Sequence, residues 1–185
     1  MSAPTAAPVL PGATATDAPV ASRTGLAIAI AVARILMGFY FFWAFIDKAF
    51  GLGFATPAER AWINGGNPTL GYLSGATESP LASVFAAIAG NPVVNVIFMA
   101  GLLGVGVALM LGIGVRIGTI AGAAMLFFMY LAEFPLTLTG ATNPIMDSHI
   151  TDITVMAIVF FGVYGQLFSL APKWREIVGD KTWLW

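Results

Sequence analysis

The sequence has no cysteine and only one histidine in its 185 residues. Without a thiol, the chain has no disulfide, no cysteine nucleophile and no cysteine-ligated zinc or iron–sulfur cluster. A single histidine also excludes a bis-histidine haem within one copy of the chain. We therefore expect no haem, iron–sulfur or cysteine-ligated metal, and any electron transfer must pass directly between bound molecules or through a partner protein.

Charge is also scarce, since only 9% of the residues are charged whereas 58% are hydrophobic. Soluble globular domains carry about 25% charged residues, so this composition indicates an integral membrane protein. The net charge of −1 argues against nucleic-acid binding, which needs clustered lysine and arginine.

Four apolar segments approach the roughly 20 residues that a bilayer-spanning helix needs. They run from about Leu26 to Phe50, Pro92 to Leu111, Arg116 to Glu133, and His149 to Leu170. We predict an all-α integral membrane fold, a four-transmembrane-helix bundle over residues 25–172. A disordered tail (residues 1–24) precedes it, and an interfacial tail rich in tryptophan and cations (residues 173–185) follows it.

Small residues recur at intervals of four on two of these spans: Gly104, Ala108 and Gly112 on the second, Gly118 and Gly122 on the third. This spacing lets membrane helices approach closely, so it predicts helix packing.

A 41-residue loop, Gly51 to Asn91, separates spans one and two. TPAE, beginning at Thr56, resembles a capping box, and Ser79–Pro80 with Gly90 predicts a second short helix. Asn91–Pro92 predicts the start of span two. Such a partly helical loop is more typical of a lid or docking surface than of a passive tether.

Lysine and arginine near the span ends predict the orientation. One side carries Arg23, Arg116, Lys173, Arg175 and Lys181, and the other carries Lys48 and Arg60. We expect a multi-pass plasma-membrane protein with both termini cytoplasmic and the long loop outside.

Most ionisable groups of the spans gather at the predicted outer level: Asp47, Lys48, Glu133, Asp147, His149 and Asp152. His149 and Asp152 share a helix face. Asp152 lies one turn inside span four, where a charge is costly, so we expect it to face a donor such as Lys48, His149 or a loop amide. Two interpretations stay open: an ion-pair network that fixes helix register, or a polar pocket for a small polar or redox-active ligand.

Two further residues of the candidate site have structural alternatives. Arg34 shares a helix stripe with Lys48 and is expected either to snorkel to the headgroups or to bind an anionic group. Asp147 or Ser148 can cap span four. A metal held by His149 with neighbouring carboxylates is only weakly indicated, because no standard ligand motif appears, and we assign no metal site.

Three stretches resemble the DoxX/DoxD family: RILMGFYFFWAFIDKAFG from Arg34, GIGVRIGTIAGA from Gly112, and NPIMDSHITD from Asn143. The resemblance covers roughly residues 26–172. It implies a four-helix membrane protein related to the membrane subunit of thiosulfate:quinone oxidoreductase. Arg34, Lys48, Arg116 and His149 match its motif positions.

The resulting hypothesis is a quinone-linked oxidoreductase subunit with an outward polar pocket. Its candidate catalytic residues are His149, Asp152 and Glu133, and its candidate substrate-binding residues are Arg34, Asp47, Lys48 and Asp147. Arg60 is a further cation for an anion such as thiosulfate. A quinone is the expected cofactor, the lipid bilayer surrounds the chain, and a second membrane or soluble redox subunit or a homo-oligomer is the expected assembly. The alternative is a non-catalytic membrane scaffold that recruits soluble redox or sulfur-transfer enzymes; a small transporter ranks third.

Overall fold

The computed structural model describes residues 20–136, 140–162 and 166–185. Over these residues the chain is all helical, with seven α-helices and no strand. The helices are α1 Val20–Phe50, α2 Leu70–Ser74, α3 Ala82–Ile88, α4 Pro92–Leu111, α5 Val115–Ala132, α6 Ser148–Phe161 and α7 Ala171–Val178. Short 3-10 turns lie at Ala58–Arg60, Trp62–Asn64 and Thr182–Leu184.

Among the described helices, α1, α4 and α5 are each long and apolar enough to cross a membrane. The prediction for α4 matches the observed bounds, and that for α5 differs by one residue at each end. The expected fourth span, His149 to Leu170, differs more. Helix α6 has 14 residues and ends at Phe161, and residues 166–170 are not helical. Three spanning helices are therefore supported, and the fourth span stays a prediction.

Helix α1 begins at Val20, so residues 20–24, which the sequence analysis assigned to the N-terminal tail, are helical. The rest of the predicted tail, residues 1–19, lies outside the described residues.

Four helices pack around one core. Helix α1 contacts α4 and α6, and α5 contacts the same two helices. The core between them is apolar and includes Phe41, Met99, Leu109, Leu126 and Met156. This arrangement brings together the ends of helices that are distant in sequence.

Helices α1 and α4 approach closely at two glycines, one on each helix. Each glycine faces the backbone of the opposite helix. A Cβ on Gly106 would lie 2.7 Å from the Phe42 nitrogen, and one on Gly38 would lie 2.6 Å from the Met110 nitrogen. The predicted small-residue stripe is only partly involved in packing: a Cβ on Gly118 would contact Ala108, but Gly104 has no atom within 4 Å of that position. The expectation that Gly104 mediates close packing was wrong.

We call the end of the bundle that carries Lys48, Asn95 and Glu133 the loop end, and the opposite end, with Arg34 and Arg116, the terminal end. At the terminal end the C-terminal residues fold back onto the bundle. The Arg116 amide donates to the Trp185 carbonyl at 2.8 Å, and Trp174 Nε1 donates to the Leu184 carbonyl at 2.6 Å. The tail predicted for residues 173–185 is thus ordered as α7 and a 3-10 turn.

At the loop end, residues 51–91 fold over α4 and α5. The Asn95 side chain accepts from the Thr69 amide at 3.2 Å and from its hydroxyl at 2.6 Å. Ser79 Oγ donates to the Leu131 carbonyl at 2.6 Å. These contacts are the reason that the loop forms a wall of the bundle rather than a free tether.

The predicted helix starts in this loop are right in some places and wrong in others. Asn91 caps α4, accepting from the amides of Val93 and Val94. The capping box at Thr56 is wrong, because the turn Ala58–Arg60 has Pro57 at its N-cap and no side-chain cap. Helix α3 begins three residues after Ser79, at Ala82.

Candidate functional site: a cation-lined cleft at the loop end

Asp47 is a buried carboxylate that holds the chain as it leaves α1. Only 2% of the residue is exposed. Its Oδ1 accepts from the Phe54 amide at 3.2 Å, and its Oδ2 accepts from the Ala55 amide at 3.0 Å. Asp47 was predicted to bind substrate, whereas in the structure both of its oxygens are occupied by loop amides.

Asp147 organises the start of α6. Its Oδ1 accepts from the Ile150 amide at 3.1 Å, which is the capping role predicted from the sequence. Its Oδ2 lies 2.7 Å from Nδ1 of His149. His149 is buried, with 6% exposed. This contact orients the imidazole, and Nε2 is the ring nitrogen that does not contact Asp147.

The expected His149–Asp152 pair is therefore replaced by His149–Asp147. Asp152 is half-buried and lies within electrostatic range of His149 and Asp147, but it makes no hydrogen bond to any residue in the described ranges. The reason is local: the N-cap position places the Asp147 carboxylate directly beside the first turn, nearer to the ring than a residue one turn along.

Two tyrosines join this cluster that the sequence analysis did not single out. The Tyr72 hydroxyl donates to the Met129 carbonyl at 3.1 Å. Burial, and then the neighbouring Glu133 carboxylate, raise the pKa of the Tyr72 phenol well above its usual range, so Tyr72 remains a hydrogen-bond donor. Tyr40 on α1 lies within electrostatic range of Asp152 and Glu133. Tyr40 lies in the aromatic run of α1, and Tyr72 lies in the long loop.

A cleft of about 720 Å³ opens beside this cluster, between the loop and helices α1, α4 and α5. Its polar lining includes Lys48, Thr56, Arg60, Asn67, Tyr72 and Ser74, and it contains no carboxylate. Neither Lys48 nor Arg60 forms an ion pair or side-chain hydrogen bond with any residue that the structure describes. Lys48 lies within electrostatic range of Asp47, but the lining of the cleft itself holds two cations and no carboxylate. This lining makes the cleft suited to an anionic group.

Arg34, by contrast, lies at the terminal end and is not part of the cleft. The residue is fully buried. Its Nη1 donates to the carbonyls of Leu109 and Met110, and its Nη2 donates to those of Leu167 at 3.1 Å and Phe168 at 2.9 Å. It neither snorkels nor joins the predicted outer cluster. Arg116 lies at the same end, with its guanidinium 5.8 Å from the Phe160 ring centroid.

Of the predicted site residues, the structure thus brings Asp47, Lys48, Glu133, Asp147, His149 and Asp152 to one end of the bundle and leaves Arg34 at the other. Within the described ranges no group of three or more histidine, aspartate and glutamate side chains is arranged to hold a metal ion. No family model, no curated protein and no solved structure matches the chain.

Proposed function

We propose that the chain is the membrane subunit of a quinone-linked oxidoreductase of the thiosulfate:quinone type, and that the loop-end cleft is its ligand site. The observation that carries the proposal is a cleft lined by two cations, Lys48 and Arg60, and by Tyr72. Tyr72 lies within electrostatic range of Glu133 and of Asp147, the carboxylate that contacts His149. The resemblance of the sequence to the DoxX/DoxD family supports the same reaction class.

In this proposal Lys48 and Arg60 hold an oxyanion, because charge-assisted hydrogen bonds to oxyanions are the strong ones. His149, oriented by Asp147, moves a proton at Nε2. Glu133 and Asp152 extend the proton route toward the loop end. A bound quinone supplies the electron acceptor, and its reduction consumes protons, which is the reason for placing a titratable group beside the cleft. With the two cations holding the oxyanion, the imidazole is the donor that would fit a quinone carbonyl.

The test is turnover by the purified full-length chain with thiosulfate and a short-chain quinone. His149→Ala should abolish quinone reduction, and Lys48→Gln should raise the KM for the anion with a smaller effect on kcat. Lys173→Gln, which removes an exposed cation at the terminal end, is the matched control. Undiminished turnover in His149→Ala would overturn the assignment.

A scaffold for soluble enzymes is the second candidate, favoured by exposed apolar side chains on the loop. Phe54 is 75% exposed and Ile63 is 63% exposed. Purification in mild detergent separates the two functions: bound quinone supports the oxidoreductase, and a stoichiometric soluble enzyme without quinone supports the scaffold.

We also infer that the chain lies in the plasma membrane with its terminal end in the cytoplasm. The support is the excess of lysine and arginine at that end, since positive residues favour the cytoplasmic side. The cleft then faces the outside.

A further inference from the structure

An apolar pocket of about 410 Å³ continues the cleft beneath the loop. It lies between α2 and α3 on one side and α4 and α5 on the other, and includes Leu73, Phe85, Ile97 and Met125. Tyr72, Phe98 and Met129 line both the cleft and this pocket. The polar and apolar spaces are therefore neighbours across a shared wall that contains the Tyr72 ring.

The apolar pocket reaches the side of the bundle. Ile97 is 67% exposed and Phe128 is 60% exposed at its edge, on two helices long enough to span a membrane. Gly101 and Ala121 line both this pocket and a groove of about 640 Å³ that runs between α4 and α5 toward the terminal end. The apolar space thus extends from the lipid-facing surface of α4 and α5 to the wall that it shares with the cation-lined cleft.

We propose that the cleft and the apolar pocket form one site for an anionic amphiphile with a single apolar chain, which enters sideways from the lipid between α4 and α5. Lys48 and Arg60 bind the anionic head, and the pocket lined by Ile97 and Met125 takes the first part of the chain. The proposal rests on the cleft of the proposed function being a ligand site, but it does not require redox chemistry.

Two features favour this ligand over its rivals. A neutral head would make no charge-assisted contact with the two cations of the cleft, whose lining has no carboxylate. A small free oxyanion would occupy only part of the cleft and leave the adjoining 410 Å³ apolar pocket unused. Ligand sites of a few hundred Å³ that are mostly apolar with a few convergent polar groups are typical for molecules of this size.

Binding to the purified full-length chain in phosphatidylcholine nanodiscs tests the proposal, with no quinone present. The probes are oleoyl lysophosphatidate, monoolein (the same chain on a neutral head) and inorganic phosphate. We expect saturable binding of oleoyl lysophosphatidate, at least tenfold tighter than either other probe. Lys48→Gln and Arg60→Gln should each weaken it about tenfold, the loss expected for one charge-assisted hydrogen bond.

Matched substitutions test the apolar part. Ile97→Trp places bulk at the mouth of the pocket and should weaken binding of oleoyl lysophosphatidate without changing that of phosphate. Ile120→Trp is the control, because Ile120 is similarly exposed at 61% but does not line this pocket. Lys173→Gln is the control for charge. Monodisperse elution of all variants excludes misfolding as the cause.

The possible results are distinguishable. Phosphate binding as tight as oleoyl lysophosphatidate would overturn the chain-binding pocket, and equal binding of monoolein would overturn the anionic head. Absence of saturable binding by all three probes would overturn the site itself. If the wild-type chain binds oleoyl lysophosphatidate but does not reduce quinone, the result would count against the proposed redox function alone.

Discussion

Replacing Arg34 with methionine should destabilise the bundle strongly. The guanidinium donates to four backbone carbonyls in two separate segments, and no other donor reaches these carbonyls among the residues that the structure describes. The amides of Gly112 and Ile113 both donate to Ala108, so the carbonyls of Leu109 and Met110 at the end of α4 rely on Arg34. The negative end of the α4 dipole also favours a cation there. Its other two bonds hold residues 167–168, where the backbone takes a left-handed conformation with φ of 51°.

The magnitude follows from opposing terms. Each buried carbonyl that loses its donor costs about 1–3 kcal/mol, while methionine avoids the guanidinium's desolvation penalty of several kcal/mol. Four carbonyls lose their donor and no buried charge is left behind, so the net loss expected is about 3 kcal/mol. For a chain of this size, that corresponds to a melting temperature lower by roughly 10 °C.

The assay is thermal unfolding in detergent, followed by size-exclusion elution. Lys173→Met, which removes an exposed cation at the same end of the bundle, should leave the melting temperature unchanged. Arg34→Lys should fall between wild type and Arg34→Met, because an ammonium cannot reproduce the fork of the guanidinium. An Arg34→Met protein that melts like wild type but loses anion binding would refute this reasoning and restore the substrate-binding role predicted from the sequence.

Three further predictions follow from named contacts. Gly106→Val should lower the melting temperature sharply because its Cβ would meet the α1 backbone at 2.7 Å, whereas Gly104→Val, with open space around it, should not; similar losses in both would contradict this packing. The Tyr72 phenol has a raised pKa in the folded chain, so the unfolded chain releases this proton first, and stability should fall as the pH rises above about 10. Tyr72→Phe should flatten that fall in pH-dependent unfolding, and an unchanged slope would exclude the effect. Because the chain has no cysteine, single cysteines at Ser74 and Lys173 report orientation: an impermeant maleimide on intact cells should label the first only, and the opposite pattern would reverse the predicted topology.

Local sequence signals predicted the helix boundaries well where a cap is encoded by neighbouring residues. Asn91–Pro92 starts α4, and Asp147 caps α6, as their side-chain chemistry requires. The gathering of ionisable groups at one level also followed from counting residues along the helices. The length of α6 did not follow, because apolar composition continues past Phe161 although the helix ends there.

Contacts between helices were the part that sequence could not supply. The spacing of small residues on α4 indicated Gly104 as a position of close helix packing. In the structure, α1 approaches α4 at Gly106 instead. Tyr72 enters the site only because the loop folds back over α5. Arg34 looked like a ligand-binding cation in a span, since nothing near it in sequence shows that residues 167–168 return to it.

The carboxylates predicted for the site are of two kinds: some already accept hydrogen bonds within the protein, and others can still exchange protons with a ligand. Asp47 and Asp147 are committed to backbone amides and to the His149 ring. Asp47 still matters to the cleft, because Ala55, whose amide it holds, is one of the lining residues. Replacing Asp47 should therefore distort the anion site by displacing the loop, although Asp47 itself does not line the cleft. Among the carboxylates predicted for the site, Glu133 and Asp152 are then the ones left to exchange protons with a bound molecule. They lie at the same end as a histidine that Asp147 orients and the two cations of the cleft lining.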